Sequence, residues 1–196
     1  VCKNFTNEYS RALADEDIQK YFEDENIVCI HGVDTREIVR EIRTLGAMNC
    51  IISSETNDLA LLQKKLAAVP DMSGLELSSK VSTTEVYELG DAAAGIKIAV
   101  MDFGTKKNIL RNFVDRGCHC IVFPAKKSFA EVMAVQPDAF FLSNGPGDPA
   151  SMDYAIENVK EMLKTGKPIF GICFGHEILA LANGRDTYKM HHGHRG

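Results

Sequence analysis

The stretch Pro168-Ile169-Phe170-Gly171-Ile172-Cys173-Phe174-Gly175-His176-Glu177-Ile178-Leu179-Ala180-Leu181-Ala182-Asn183 decides how this chain is read. Residues 168–172 form a short apolar run of the kind that makes a buried strand. From Gly175 onward, Ile178, Leu179, Leu181 and Ala182 recur at helical spacing. Between them, Gly171-Ile172-Cys173-Phe174-Gly175 has the form G-x-nucleophile-x-G, with cysteine in place of serine. A side chain on such a strand-to-helix turn sits on strained backbone and is pushed clear of the sheet. Glycines two residues to either side leave room for the packing this forces. The helix that follows points its positive end at the sulfur. A purely structural cysteine would need neither the strand before it nor the helix after it. Cys173 is the expected catalytic residue.

Working outward, the rest of the second half alternates regularly. Strands are expected over 97–102, 120–123 and 139–142, with helices over 107–116, 129–135 and 152–164. Strands alternating with helices at this spacing predict a parallel sheet covered on both faces. In such sheets the site lies beyond the carboxyl ends of the strands. Three unusual loops fall there: 103–107, 143–149 and the elbow itself.

The loop Ser143-Asn144-Gly145-Pro146-Gly147-Asp148-Pro149 packs two glycines and two prolines into a rigid turn with exposed amides. One strand–helix–strand return separates it from Cys173, so it can lie beside the elbow. Amides near Gly145 and Gly147, with that of Phe174, are candidate donors to the oxyanion of a tetrahedral intermediate. The plain alternative is a tight turn after a strand. Gly104-Thr105-Lys106-Lys107 lacks both glycine-rich nucleotide signatures, so it is not read as a phosphate loop.

The first half has a different pattern. Ile18, Tyr21 and Phe22 mark a short helix over 15–25, and 27–30 reads as a buried strand. Asp34 with Glu37 starts a second helix, continued by Ile38, Ile42 and Leu45 and closed by Gly46. A second strand is expected over 49–53. Asn57 or Asp58 then caps a third helix that turns Leu59, Leu62 and Leu66 inward. The expected organisation is a small α/β domain over 1–69, a surface linker with at most one short strand over 70–95, and a larger α/β domain over 96–196.

Composition excludes several classes. At 45% hydrophobic and 25% charged the chain is an ordinary globular sequence, and a net charge of −5 argues against nucleic acid or an anionic membrane as partner. No apolar run reaches transmembrane length. Six cysteines without framework spacing are expected as reduced thiols, which places the protein in the cytoplasm. Cys118-His119-Cys120 lacks a second ligand pair and is not taken as a metal site.

The residues resemble those of class I glutamine amidotransferases, whose elbow is G-x-C-x-G, on a parallel flavodoxin-like sheet. More narrowly they are similar to the small subunits of carbamoyl phosphate synthetases. The segments Asp102-Phe103-Gly104, 106–110, 143–149, 171–176, Lys189-Met190 and Gly193-His194 carry the likeness. Asp34-Thr35-Arg36 and 81–87 resemble that subunit's own amino-terminal domain, which other class I amidotransferases lack.

The resemblance implies hydrolysis of L-glutamine through a thioester on Cys173. Ammonia would pass to a large subunit that uses ATP, Mg and bicarbonate to make carbamoyl phosphate, with no cofactor in this chain. It implies that Gly145 and Gly147 contact glutamine and stabilise the oxyanion, and that Phe174 and Glu177 line the pocket. Two features depart from the family. Its base is a histidine in a His-Pro-Glu motif downstream of the elbow, and this sequence contains none. His176, His191, His192 and His194 are poor substitutes, because a base must reach the thiol in fixed geometry. The family more usually has glutamine where Glu177 stands. The expectation is thus a small subunit truncated at both ends and inactive alone. A peptidase-like cysteine hydrolase and a non-catalytic regulatory relative are the alternatives.

Overall fold

The computed structural model describes residues 1–8, 14, 16–93 and 95–193. They divide into two compact units, one within residues 1–70 with 190–193 and one within residues 71–189.

Among its described residues the first unit holds three helices, α1 (Ile18–Asp24), α2 (Thr35–Leu45) and α3 (Leu59–Ala67). Each starts on an aspartate, Asp17, Asp34 or Asp58, whose side chain accepts backbone N–H groups of the first turn. Gly46 closes α2 at φ +90°, a conformation that favours glycine. The strands expected over 27–30 and 49–53 do not form among the described residues. A strand exists only through its partners, and 30–32 finds just two ladder-like bonds: Cys2 N to Ile30 O and Gly32 N to Lys3 O, both 3.0 Å. No residue of the three helices is buried. Leu59, expected to face inward, is 73% exposed, whereas Leu62 and Leu66 are half-buried.

The second unit is built on a five-stranded sheet. Its elements are α4 (Ser78–Val81), β1 (Tyr87–Leu89), β2 (Ile96–Asp102), α5 (Lys107–Val114), β3 (Cys118–Pro124), α6 (Phe129–Met133), β4 (Ala139–Leu142), a 3-10 turn (Pro149–Ser151), α7 (Asp153–Lys164), β5 (Ile169–Gly171) and α8 (Phe174–Ala182). The strand order is β1-β3-β2-β4-β5, all parallel except β1, which runs antiparallel to β3. The run from β2 to β4 is apolar on both faces because helices cover both. Val132, Val159, Met162, Phe174 and Ile178 of α6, α7 and α8 pack on one face with Ala99, Met101, Phe140 and Leu142. On the other face Leu110 and Phe113 of α5 pack against Ile98, Val100, Val122 and Phe141.

Residues 70–95, expected as a surface linker, belong to this unit apart from Pro70. Their attachments are long-range. Thr83 N donates to Asp102 at 2.7 Å, Ser82 Oγ accepts Ala125 N at 2.9 Å, and β1 adds an edge to β3. Cys118 and Cys120 are buried in the α5 face, while His119 Nε2 meets Glu88 at 2.8 Å. No helix of the described residues is long and apolar enough to cross a membrane.

Chain direction changes sides after β2: β3 lies on one flank of it and β4 on the other. The loops leaving β2 and β4 therefore diverge at the carboxyl edge, the position where open parallel sheets place their sites. The turn leaving β5 stands next to them.

Candidate active site

Ile172 and Cys173 make the sharp turn between β5 and α8, and Cys173 carries the unusual backbone. Its φ of 53° and ψ of −114° lie outside the regions an L-residue prefers, a strain of about 1–3 kcal/mol. Asn26 and Gln136 also have positive φ among the described residues, but Cys173 alone of the three leads straight into a helix. The turn is locked from both sides. Ile172 N donates to Leu142 O at 3.1 Å, and Cys173 O accepts His176 N at 2.9 Å and Glu177 N at 3.1 Å. A Cβ at Gly171 would stand 2.7 Å from the Gly175 carbonyl, so strand and helix approach closer than any side chain permits. Cys173 is exposed, and its thiol caps no amide of α8.

The loop after β4 is fixed by side chains of its own ends. Ser143, fully buried, accepts Phe103 N on Oγ at 2.9 Å. Asn144 accepts Lys106 N at 3.2 Å and donates to Gly104 O at 2.8 Å, which ties the loops after β2 and β4 together. Gly145 is pressed against Phe103, where a Cβ would fall 2.3 Å from the carbonyl oxygen. Gly147 adopts φ +99°. Among the described residues, the amides of Gly145, Gly147 and Phe174 donate to no protein acceptor. Three unused N–H groups on rigid backbone at the carboxyl edge are the raw material of an oxyanion hole.

Phe174 has only its backbone to offer a site at this edge. Its ring is 2% exposed, packed edge-on against Phe103 with centroids 5.9 Å apart, so it belongs to the core rather than to a pocket wall. The signal was in the sequence: Phe174 and Ile178 are four apart and both apolar, one face of a helix. Glu177 sits in the first turn of α8, exposed. Partial burial pushes its carboxyl up from the ordinary range; nearby His176 opposes the shift and Asp148 adds to it. His176 is exposed on the same turn. His191 and His192 fall in the other unit, where His191 Nε2 lies 3.3 Å from the Arg43 carbonyl. His194 lies outside the described residues.

Sequence reasoning missed Asp102 as a part of the site's frame. Buried at the end of β2, it accepts Gly104 N, Thr105 N and Thr83 N at 2.9, 2.8 and 2.7 Å. Its local mark was a lone aspartate ending an apolar strand two residues before Gly104, in a segment noted for the family likeness and not for this role.

Residues 99–196, half of the chain, match the family model described as glutamine amidotransferase class-I. The chain belongs to that family. In this class I amidotransferase, residues 1–52 also match the model described as carbamoyl-phosphate synthase small chain, CPSase domain. Proteins named carbamoyl phosphate synthase small chain are similar over the whole of it. That of Salmonella typhi is 42% identical, that of Synechocystis sp. 39% and that of Escherichia coli K12 41%. The alignments take in 100% of this chain and 54 or 55% of each relative. The chain thus spans about half the length of the relatives it matches.

Proposed function

We propose that this amidotransferase is the glutamine-hydrolysing small subunit of a carbamoyl phosphate synthetase. The observation that carries the chemistry is the strained, exposed Cys173 on an edge that also holds three unused amides. The likeness to small chains from end to end supports the narrower reading.

In this reading Cys173 Sγ attacks the side-chain carbonyl carbon of glutamine. A C–S bond forms while the carbonyl electrons move to oxygen. Amides of Gly145, Gly147 and Phe174 receive that oxyanion. Collapse breaks the C–N bond, and nitrogen takes a proton and leaves as ammonia. Water then adds to the thioester carbon, the C–S bond breaks, and glutamate and the thiol are released. Glu177, one helical turn above Cys173, takes the α-ammonium of the substrate in this reading. The proton carrier implied by the resemblance, a histidine in a His-Pro-Glu segment, has no counterpart in this sequence. Activity is therefore tested on a chain of the relatives' length.

The partner is a large subunit that receives the ammonia and uses ATP, Mg and bicarbonate there. The chain of relatives' length, mixed with such a subunit, should release glutamate from glutamine and co-elute with it on size exclusion. Glutamate release without co-elution would remove the synthetase assignment and leave the amidotransferase. No release at all would remove both.

A further inference from the structure

The glycine loop after β4 is held by more than the sheet. Residues 74–79 lie across it. Asp148 N donates to Leu75 O at 2.9 Å, Ser78 Oγ donates to Pro146 O at 3.1 Å, and Gly74 N donates to Asp148 Oδ2 at 2.8 Å. Glu76 and Gly147 face each other in an isolated antiparallel bridge. Contact is close: a Cβ at Gly147 would fall 2.6 Å from Leu75 O and 3.1 Å from Leu77 N. Any movement of residues 75–77 therefore moves the backbone of Gly147.

One carboxylate adds a further set of attachments to those residues, reaching beyond the loop. Glu76 Oε1 accepts Ser79 N at 2.8 Å and the Tyr154 hydroxyl at 3.1 Å, while Oε2 accepts Ser79 Oγ. Tyr154 stands on α7, half-buried, with Lys126 Nζ 5.8 Å from its ring centroid. Burial works against the Glu76 charge, yet Ser79, Tyr154 and the Lys126 charge together hold its carboxyl below the ordinary range. Both oxygens are spent inside the protein, so this carboxylate is not poised to touch a substrate. Its bonds instead join α7 to the strip of backbone that presses on Gly147.

We propose that Glu76, anchored by Tyr154, is a positioning residue that sets the Gly147 amide for the oxyanion. The proposal rests on the glutaminase reading above. Charge-assisted hydrogen bonds hold geometry more tightly than neutral ones, and an oxyanion donor acts only at its correct distance. Misplacement by about 1 Å costs on the order of 10²-fold in rate.

The test uses the chain of relatives' length in complex with its large subunit. Glutamate release is measured for wild type, Glu76→Gln, Glu76→Ala and Tyr154→Phe. Alkylation of Cys173 by iodoacetamide is followed alongside, because that reaction forms no oxyanion. Glu76→Ala should lower kcat for glutamine hydrolysis by about 10- to 100-fold. Its KM should stay within about twofold and its alkylation rate should not change, since only transition-state stabilisation is lost. Glu76→Gln and Tyr154→Phe should lie between it and wild type. If Glu76→Ala does not fold, those two milder variants carry the same comparison. Unchanged kcat in all variants, or equal losses in hydrolysis and alkylation, would overturn the positioning role. A wild type that releases no glutamate would instead overturn the glutaminase reading itself.

Discussion

Gly175 lies against Leu142 so closely that a Cβ there would stand 2.2 Å from the Leu142 carbonyl oxygen and 2.5 Å from its carbonyl carbon. The second glycine of the elbow is therefore a contact between α8 and β4, and not only a flexible link. Both atoms are main chain, so neither neighbour yields cheaply. Gly175→Ala must push α8 off the sheet or distort the end of β4. The expected cost is about 1–3 kcal/mol, as for overpacking elsewhere. A denaturant midpoint measures it, and an unchanged midpoint would mean that α8 seats more loosely than this contact implies.

At Gly145 the obstruction is Phe103, whose carbonyl oxygen and Cβ would lie 2.3 Å and 2.9 Å from a methyl group added at 145. Gly145→Ala should shift the loop and carry its amide out of line. Loss of one oxyanion donor costs about 10²- to 10³-fold in kcat. Steady-state hydrolysis by the chain of relatives' length reads this directly. Iodoacetamide alkylation of Cys173 should proceed at the wild-type rate, and a parallel fall in alkylation would place the damage in the elbow instead.

Asp102 satisfies three backbone amides from a position 5% exposed. Asp102→Asn keeps one acceptor oxygen and turns an N–H group toward one of those donors. The expected loss is about 1–3 kcal/mol for the donor left unpaired in the interior. Because Thr83 is one of the three, residues 82–84 should also become more accessible to protease. Wild-type stability in Asp102→Asn would show that the loop and Thr83 are held by other means.

Glu177 gives a pH prediction whose sign follows from its raised carboxyl. A carboxyl harder to ionise in the folded state destabilises the fold at pH above its folded pKa. The cost fades as pH falls through that value toward the unfolded one, near 4.5. Glu177→Gln should therefore raise the denaturant midpoint at pH 7 and leave it unchanged near pH 4. Its exposure keeps the gain small. Equal effects at both pH values would mean that the carboxylate charge is not the cause.

The elbow was legible because everything that makes it is local: an apolar run, two glycines around a cysteine, and a helical period. Ser143 to Pro149 was legible as a rigid loop for the same reason. Glu76 was not, since its partners Gly147 and Tyr154 lie more than 70 residues away and a single glutamate in a Ser-rich stretch carries no period. The one short strand allowed for in 70–95 is β1, three exposed residues whose place could not be read because they become a strand only by pairing with β3. The strands expected over 27–30 and 49–53 failed for the complementary reason. Their apolar runs were real, but Ile27, Val28 and Ile30 are each more than 40% exposed and lack the ladder a strand requires.

Acylation of Cys173 by glutamine underlies every step proposed for this site, and trapping the acyl group tests it without intermediaries. The chain of relatives' length, with its large subunit, is mixed with isotopically labelled glutamine, quenched in acid during turnover, digested and weighed by peptide. One labelled glutamyl group is expected on the peptide carrying Cys173, absent from Cys173→Ser and removed by hydroxylamine. Labelled glutamate released in full by Cys173→Ser, with no label on that peptide in wild type, would contradict acylation at this cysteine.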